Sequence, residues 1–206
     1  METPAENEAR KGVYRRSAGS PRGEARRRDL LARITDDLAV NGLVDFSLRR
    51  AARAAGTTHK VLLYYFDGPE DLLAQAMVEL RERRIADGQV AIQDRGGSLA
   101  DRVRALWPVL SSGYAWVHDQ GIGLMLYDPQ RYGELGRGSS QQYLPTLMSL
   151  CPEHWPARRK KEVAEMIMAT LRGFVIDRQA SRDSAGVEAG FEALARALDR
   201  EEAAED

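Results

Sequence analysis

Apolar residues recur at helical spacing along most of the chain. From Glu24 to Asn41, Leu30, Leu31, Ile34 and Leu38 share one helical face, and Asn41-Gly42 forms a C-terminal stop. Residues 48 to 55 predict a second, short helix. Ser47 stands before it as an N-cap whose hydroxyl can accept from first-turn amides, and Phe46 can staple the chain onto that turn. Gly56 suits the left-handed residue that ends a helix, after which Thr57 and Thr58 offer hydroxyls to cap a third helix running to about Phe66. With Thr58 as the cap, the 3.6-residue period puts Leu62, Tyr65 and Phe66 on a packing side. It puts His59, Lys60, Leu63 and Tyr64 on the opposite side. Two short helices joined by a glycine turn make a helix-turn-helix, although an ordinary helical hairpin would share its spacing.

The remaining elements follow the same period. Gly68-Pro69-Glu70-Asp71 is a helix start, since proline is tolerated at the first helical position and acids complement the dipole there. A long helix is expected to about Asp94, buried through Leu72, Leu73, Met77, Leu80 and Ile85, until Gly96-Gly97-Ser98 breaks it. Residues 99 to 118 predict one helix, apolar at Leu99, Val103, Leu106, Trp107, Leu110, Tyr114 and Val117 and kinked at Pro108. A kink opens a gap between helices, so Trp107, Tyr114, Trp116 and His118 on either side of it, with Tyr127, are candidate ligand-binding residues. Core packing is the alternative for each. Gly121 to Tyr127 and Gln141 to Leu150 predict short helices, with a loop from Gln130 to Ser140 between them. Two helices finish the chain, Ala157 to Gln179 and Gly186 to Glu202. Their broad stripes, Val163, Ile167, Leu171 and Phe174 on one and Phe191, Leu194 and Leu198 on the other, either close the chain's own core or pair with a second copy.

Composition narrows the function classes. With 206 residues, 43% apolar and 30% charged, the chain can bury a substantial core. It has no run of about 18 apolar residues and no charged stub followed by an apolar block, so the expectation is a cytoplasmic protein without a membrane partner. Its one cysteine, Cys151, excludes an internal disulfide, and three scattered histidines, His59, His118 and His154, lack metal-ligand spacing. No glycine loop matches a phosphate cradle, and most carboxylates sit among arginines on charged helical faces. The expectation is therefore no catalysis, no metal and no cofactor. The net charge of −1 conceals an asymmetry: residues 10 to 60 carry 13 Lys or Arg against 5 Asp or Glu, making that segment +8 and the remainder −9. A basic head on an acidic body fits a chain that meets phosphates at one end. Residues 1 to 23, with scattered proline, glycine and charge, are expected to form a disordered basic tail. Arg26, Arg27 and Arg28 stand at the start of the first helix, available to phosphate.

From Arg26 to about Arg84 the chain resembles the N-terminal domain of the TetR family of bacterial transcription regulators. The resemblance is carried by Gly42, Ser47, Ala52, Ala55, Gly56, Thr58, Leu62, Tyr64 and Phe66, followed by Glu70-Asp-Leu-Leu73. The chain departs from the family pattern at Thr57, Leu63 and Pro69, and Leu63 offers a base only apolar contact, for instance with a thymine methyl. The resemblance implies an all-α fold: a three-helix helix-turn-helix DNA-binding domain over residues 24–68, then a helical-bundle effector-binding and dimerisation domain over 69–206. It implies a homodimeric repressor that binds double-stranded DNA at a palindromic operator and is released by an unidentified small-molecule effector. Ser47, Arg49, Thr57, Thr58, His59, Lys60, Leu63 and Tyr64 are the candidate DNA-binding residues, and the last two helices supply the dimer interface. A helical protein-interaction module without DNA binding is the alternative.

Overall fold

The computed structural model describes residues 20–93, 96–111, 113–181 and 184–204, and among them the regular secondary structure is α-helical. Helix α1 (Pro21–Asn41) begins before the expected start at Glu24. Ser20 lies in extended backbone, its Oγ accepts from the Gly23 amide at 3.1 Å, and Pro21 takes the first turn. Most of the expected basic tail, residues 1–19, lies outside the described residues.

Helices α2 (Leu48–Ala54) and α3 (His59–Tyr65) form the helix-turn-helix, and α4 (Pro69–Ile92) follows. The single kinked helix expected over residues 99 to 118 is two helices, α5 (Leu99–Ser111) and α6 (Ala115–Tyr127). Gly113, at φ +61°, supplies the break. Pro108 stays inside α5 on its exposed side, where water can serve the carbonyl left without a helical donor. The stretch expected as a loop from Gln130 contains α7 (Pro129–Gly136). Asp128-Pro129, which reads as a stop, is also a start: Asp128 Oδ1 accepts from the Arg131 amide at 3.0 Å, and Leu135 anchors the turn in the interior. Helices α8 (Ser139–Leu150), α9 (Ala157–Ser181) and α10 (Ser184–Ala203) complete the chain. No helix among the described residues is long and apolar enough to cross a membrane.

The chain packs as two units. One comprises the described residues up to Leu80 together with Gln120–Leu135; the other comprises Arg81–Asp119 and the described residues from Gly136 onward. The division thus falls inside α4 and α6, and the first unit takes in more chain than residues 24–68. Its interior is built from Leu30, Ile34 and Leu38 of α1, Ala51 and Ala52 of α2, Leu62 of α3, and Leu72, Leu73, Met77 and Leu80 of α4. Gln120 Oε1 accepts from the Leu43 amide at 2.7 Å, and Arg131 pairs with Glu70 at 2.8 Å, so the returning segment is tied in by polar contacts as well.

The second unit is organised around α5, α9 and α10. Trp107 stacks on Phe191 with centroids 4.8 Å apart, and its Nε1 donates to Glu188 at 3.0 Å. Ion pairs from Arg104 to Glu192 and from Arg102 to Glu202 join α5 to α10. The residues expected at a dimer face lie in this unit's interior: Val163, Ile167, Leu171, Phe191, Leu194 and Leu198 are buried and Phe174 is half-buried against them. Of the two readings of these stripes, closure of the chain's own core describes where the side chains go.

Candidate nucleic-acid interface

The turn between α2 and α3 is closed by backbone chemistry that the residues dictate. The Gly56 amide donates to the Arg53 carbonyl at 3.2 Å and the Thr57 amide to the Ala52 carbonyl at 2.9 Å, with Gly56 at φ +62°. This is a Schellman stop, which needs a left-handed residue and thereby selects glycine. Ser47 Oγ accepts from the Arg50 amide at 3.3 Å and Thr58 Oγ1 from the Val61 amide at 3.4 Å, so each short helix is capped by the hydroxyl expected to cap it. Each of these hydroxyls still has its own hydrogen to donate, and an acceptor such as a phosphate oxygen is its natural complement.

Helix α3 divides as its period requires. Leu62 is fully buried, Phe66 is buried and Tyr65 half-buried, whereas His59 and Lys60 are exposed and Leu63 is 50% exposed. Tyr64 is half-buried, held edge-on by Tyr65 with ring centroids 4.7 Å apart. Ser47, Arg49 and Thr58 are exposed, and Thr57 is half-buried. The eight candidate residues therefore occupy the ends and the outward side of one helix-turn-helix, where they present hydroxyls, a guanidinium, an ammonium, an imidazole and one apolar contact.

Two arginines in this unit serve packing instead. Arg50 Nε donates to Asp37 Oδ2 at 2.7 Å and its Nη1 to the Val44 carbonyl at 2.9 Å, tying α2 to the end of α1. Arg27 was expected to be available to phosphate together with Arg26 and Arg28. It is half-buried, donates to Gln75 Oε1, and stacks over the Phe66 ring 5.1 Å from its centroid. Arg26 pairs with Asp29 at 2.7 Å on the surface, and Arg28 is exposed. The signal that separates Arg27 is its register, three residues before the buried Leu30.

Of the candidate ligand-binding residues, Trp107, Tyr114, Trp116 and His118 belong to the second unit and Tyr127 to the first. Trp107 is buried in aromatic contacts, and Tyr127 is 86% exposed in the other unit. Trp116 and Tyr114 are half-buried; the Tyr114 hydroxyl donates to Asp87 Oδ2 at 3.2 Å, and burial, reinforced by Asp87, pushes its pKa up to about 12. His118 is buried, its ring 6.2 Å from that of Tyr114. Burial, with Arg84 and Arg81 adding positive charge, lowers the His118 pKa to about 3, so its imidazole is neutral at physiological pH. Sequence reasoning passed over Arg81, Arg84, Asp119 and Tyr143, which share its surroundings. The available signal was phase: Arg81 and Arg84 lie four residues beyond Met77 and Leu80, on the stripe that those residues bury.

No family model and no curated protein matches the sequence. The structure has close neighbours among solved structures. A protein from a Rhodococcus species, assigned as a TetR-family transcriptional regulator, superposes with a TM-score of 0.64 at 17% identity, covering 85% of this chain and 97% of that one. A Streptomyces coelicolor protein assigned as a transcriptional regulator gives a TM-score of 0.63 at 24% identity, over 84% of this chain and 98% of the other. The Bacillus subtilis transcriptional regulator FadR, solved in complex with stearoyl-CoA, gives 0.55 at 16% identity over 82% and 96%. With its capped helix-turn-helix and its helical second unit, the chain has the all-α fold of the TetR-family transcriptional regulators.

Proposed function

We propose that this protein is a sequence-specific DNA-binding transcriptional regulator, a homodimeric repressor that leaves a palindromic operator when its second unit takes up a small molecule. The observation that carries the reading is the division of α3: Leu62 and Phe66 hold the helix in the core while His59, Lys60 and Leu63 remain outward. In a helix-turn-helix the second helix enters the major groove and its first residues meet base edges. Lys60, with His59 beside it, would approach bases, Leu63 would meet an apolar base edge, and Ser47, Arg49, Thr57, Thr58 and Tyr64 would position the motif on phosphates.

A twofold axis would present two such helices to half-sites about 34 Å apart or a multiple of that spacing. With the expected interface residues engaged in the core, the surface best suited to a second copy is the outer stripe of α9. Met166, Ala169, Gly173, Ile176 and Ala180 recur there at three and four residues, and all five are exposed. Small residues on that stripe permit close helix approach, and Met166 and Ile176 supply apolar area. An effector that empties the operator must favour the non-binding conformer by about 5 kcal/mol. That one structural neighbour was solved with stearoyl-CoA supports a ligand-responsive reading of the second unit.

Selection of duplexes from a random pool, followed by fluorescence anisotropy with the recovered sequence, tests the reading. The expected result is a recovered palindrome bound with steep salt dependence. Recovery of no preferred sequence by a folded dimer would overturn it.

A further inference from the structure

Helix α3 is only seven residues long, about 10 Å, and a helix that short takes its direction from whatever holds its ends. Its first end is held by the Schellman turn at Gly56 and by the Thr58 cap. Its last end carries no such local device. Phe66 leaves the helix in extended backbone, at φ −132°, where a left-handed residue would have closed the final carbonyls, and α3 has no basic residue in its own last turn.

Arg27, from α1, brings a donor and a cation to that end. Its Nε donates to the carbonyl of Tyr65, the last residue of α3, at 3.4 Å, and its guanidinium lies over the Phe66 ring, 5.1 Å from the centroid. Positive charge there meets the negative end of the helix dipole. The same guanidinium donates through Nη2 to Gln75 Oε1 of α4, and Gln75 Nε2 donates to both Asp71 carboxylate oxygens, at 2.8 and 2.9 Å. Asp71 Oδ2 in turn accepts from the Asp67 amide at 2.9 Å. Three consecutive residues at the exit of α3 are thus fixed by a carbonyl, a ring and an amide to one polar chain that starts at Arg27. The edge-on contact of Tyr65 with Tyr64 carries the constraint to a residue on the proposed DNA side. All of these groups belong to the first unit.

We infer that Arg27 is a positioning residue of the nucleic-acid interface: it clamps the exit of α3 to α1 and α4, sets the angle at which Lys60 and Leu63 meet the groove, and itself touches no nucleotide. This role rests on the DNA-binding reading above. Side chains that read base edges work only within about 10–20° of their proper geometry. Non-specific affinity is electrostatic and survives such an error, so a released α3 exit costs sequence preference first.

The test is fluorescence anisotropy of the full chain, over a range of salt concentrations, on the selected duplex and on a scrambled duplex of equal length and composition. Circular dichroism establishes that each variant is folded under those conditions. Arg27→Met keeps an unbranched chain beside Phe66 and removes every donor. It should weaken binding to the selected duplex by about tenfold or more, roughly 1.4 kcal/mol, with affinity for the scrambled duplex and the salt slope unchanged. Arg27→Lys restores a cation and one donor at a time, so it should recover part of the loss. A folded Arg27→Met that matches wild type on the selected duplex would overturn the role. So would an equal loss on both duplexes, or a salt slope reduced by about one, which would make Arg27 a phosphate contact. Should Arg27→Met fail to fold, Arg27→Lys decides: binding about threefold weaker on the selected duplex alone supports the role, and wild-type affinity overturns it. A wild type that prefers no duplex overturns the regulator and this role with it, whereas one that selects its duplex no better than the Arg27 variants overturns the role alone.

Discussion

At the scale of single residues, His118 makes the clearest solution prediction. Its pKa is about 3 in the folded chain against 6.5 for the free side chain, chiefly because burial disfavours the cation. Between those values only the unfolded chain binds the proton, so the His118 contribution to stability is complete above 6.5 and declines as pH falls toward 3. The slope from this one group cannot exceed about 1.4 kcal/mol per pH unit. Urea titrations across that window should show a steeper loss for the wild type than for His118→Gln; identical slopes would contradict the buried neutral imidazole. Gly56 gives a second prediction. A Cβ there would meet nothing within 4 Å, so Gly56→Ala tests only the φ of +62°, and it should cost about 1 kcal/mol in urea denaturation. A neutral substitution would mean that the turn is not held in the left-handed region.

Among the elements, the two adjacent arginines of α2 should behave oppositely. Arg50 joins α2 to Asp37 and to the Val44 carbonyl, and Arg50→Ala should destabilise the chain by about 2 kcal/mol. Arg49 is exposed, and Arg49→Ala should leave stability within roughly 0.5 kcal/mol while reducing the salt dependence of duplex binding by about one phosphate contact. Equal stability losses in the two variants, measured by thermal or urea unfolding, would contradict this division of labour. The helix-turn-helix was legible because its signals are local: Ser47, Gly56 and Thr58 act on amides within five residues, and the α3 period alone turns Leu62 inward. The break at Gly113 was not, because a proline five residues earlier competes for the same bend and only packing decides which yields. Helix α7 was hidden by Asp128-Pro129, which serves equally well to end one helix and to start the next.

For the whole molecule, the residues buried at each terminal helix were readable from sequence, but not which neighbour buries them. Val163, Ile167 and Leu198 would show the same stripe whether the partner were α5 of one chain or a second copy, since periodicity records burial and not its source. The return of Gln120–Leu135 to the first unit was likewise invisible, for it rests on contacts such as Leu43 with Gln120 across 77 residues. The exposed α9 stripe carries the assembly prediction: Ile176→Glu should give a monomer by light scattering with helical content intact, and a dimer unaffected by that charge would place the interface elsewhere. Paired binding heads would then be lost, and operator affinity with them. The central claim, that the outward side of α3 reads DNA, is tested most directly by fluorescence anisotropy of the full chain on its selected duplex, comparing wild type with Lys60→Ala. The account predicts a loss of roughly 1 to 3 kcal/mol with helical content and dimerisation unchanged. Equal affinity of the two proteins for that duplex would contradict it.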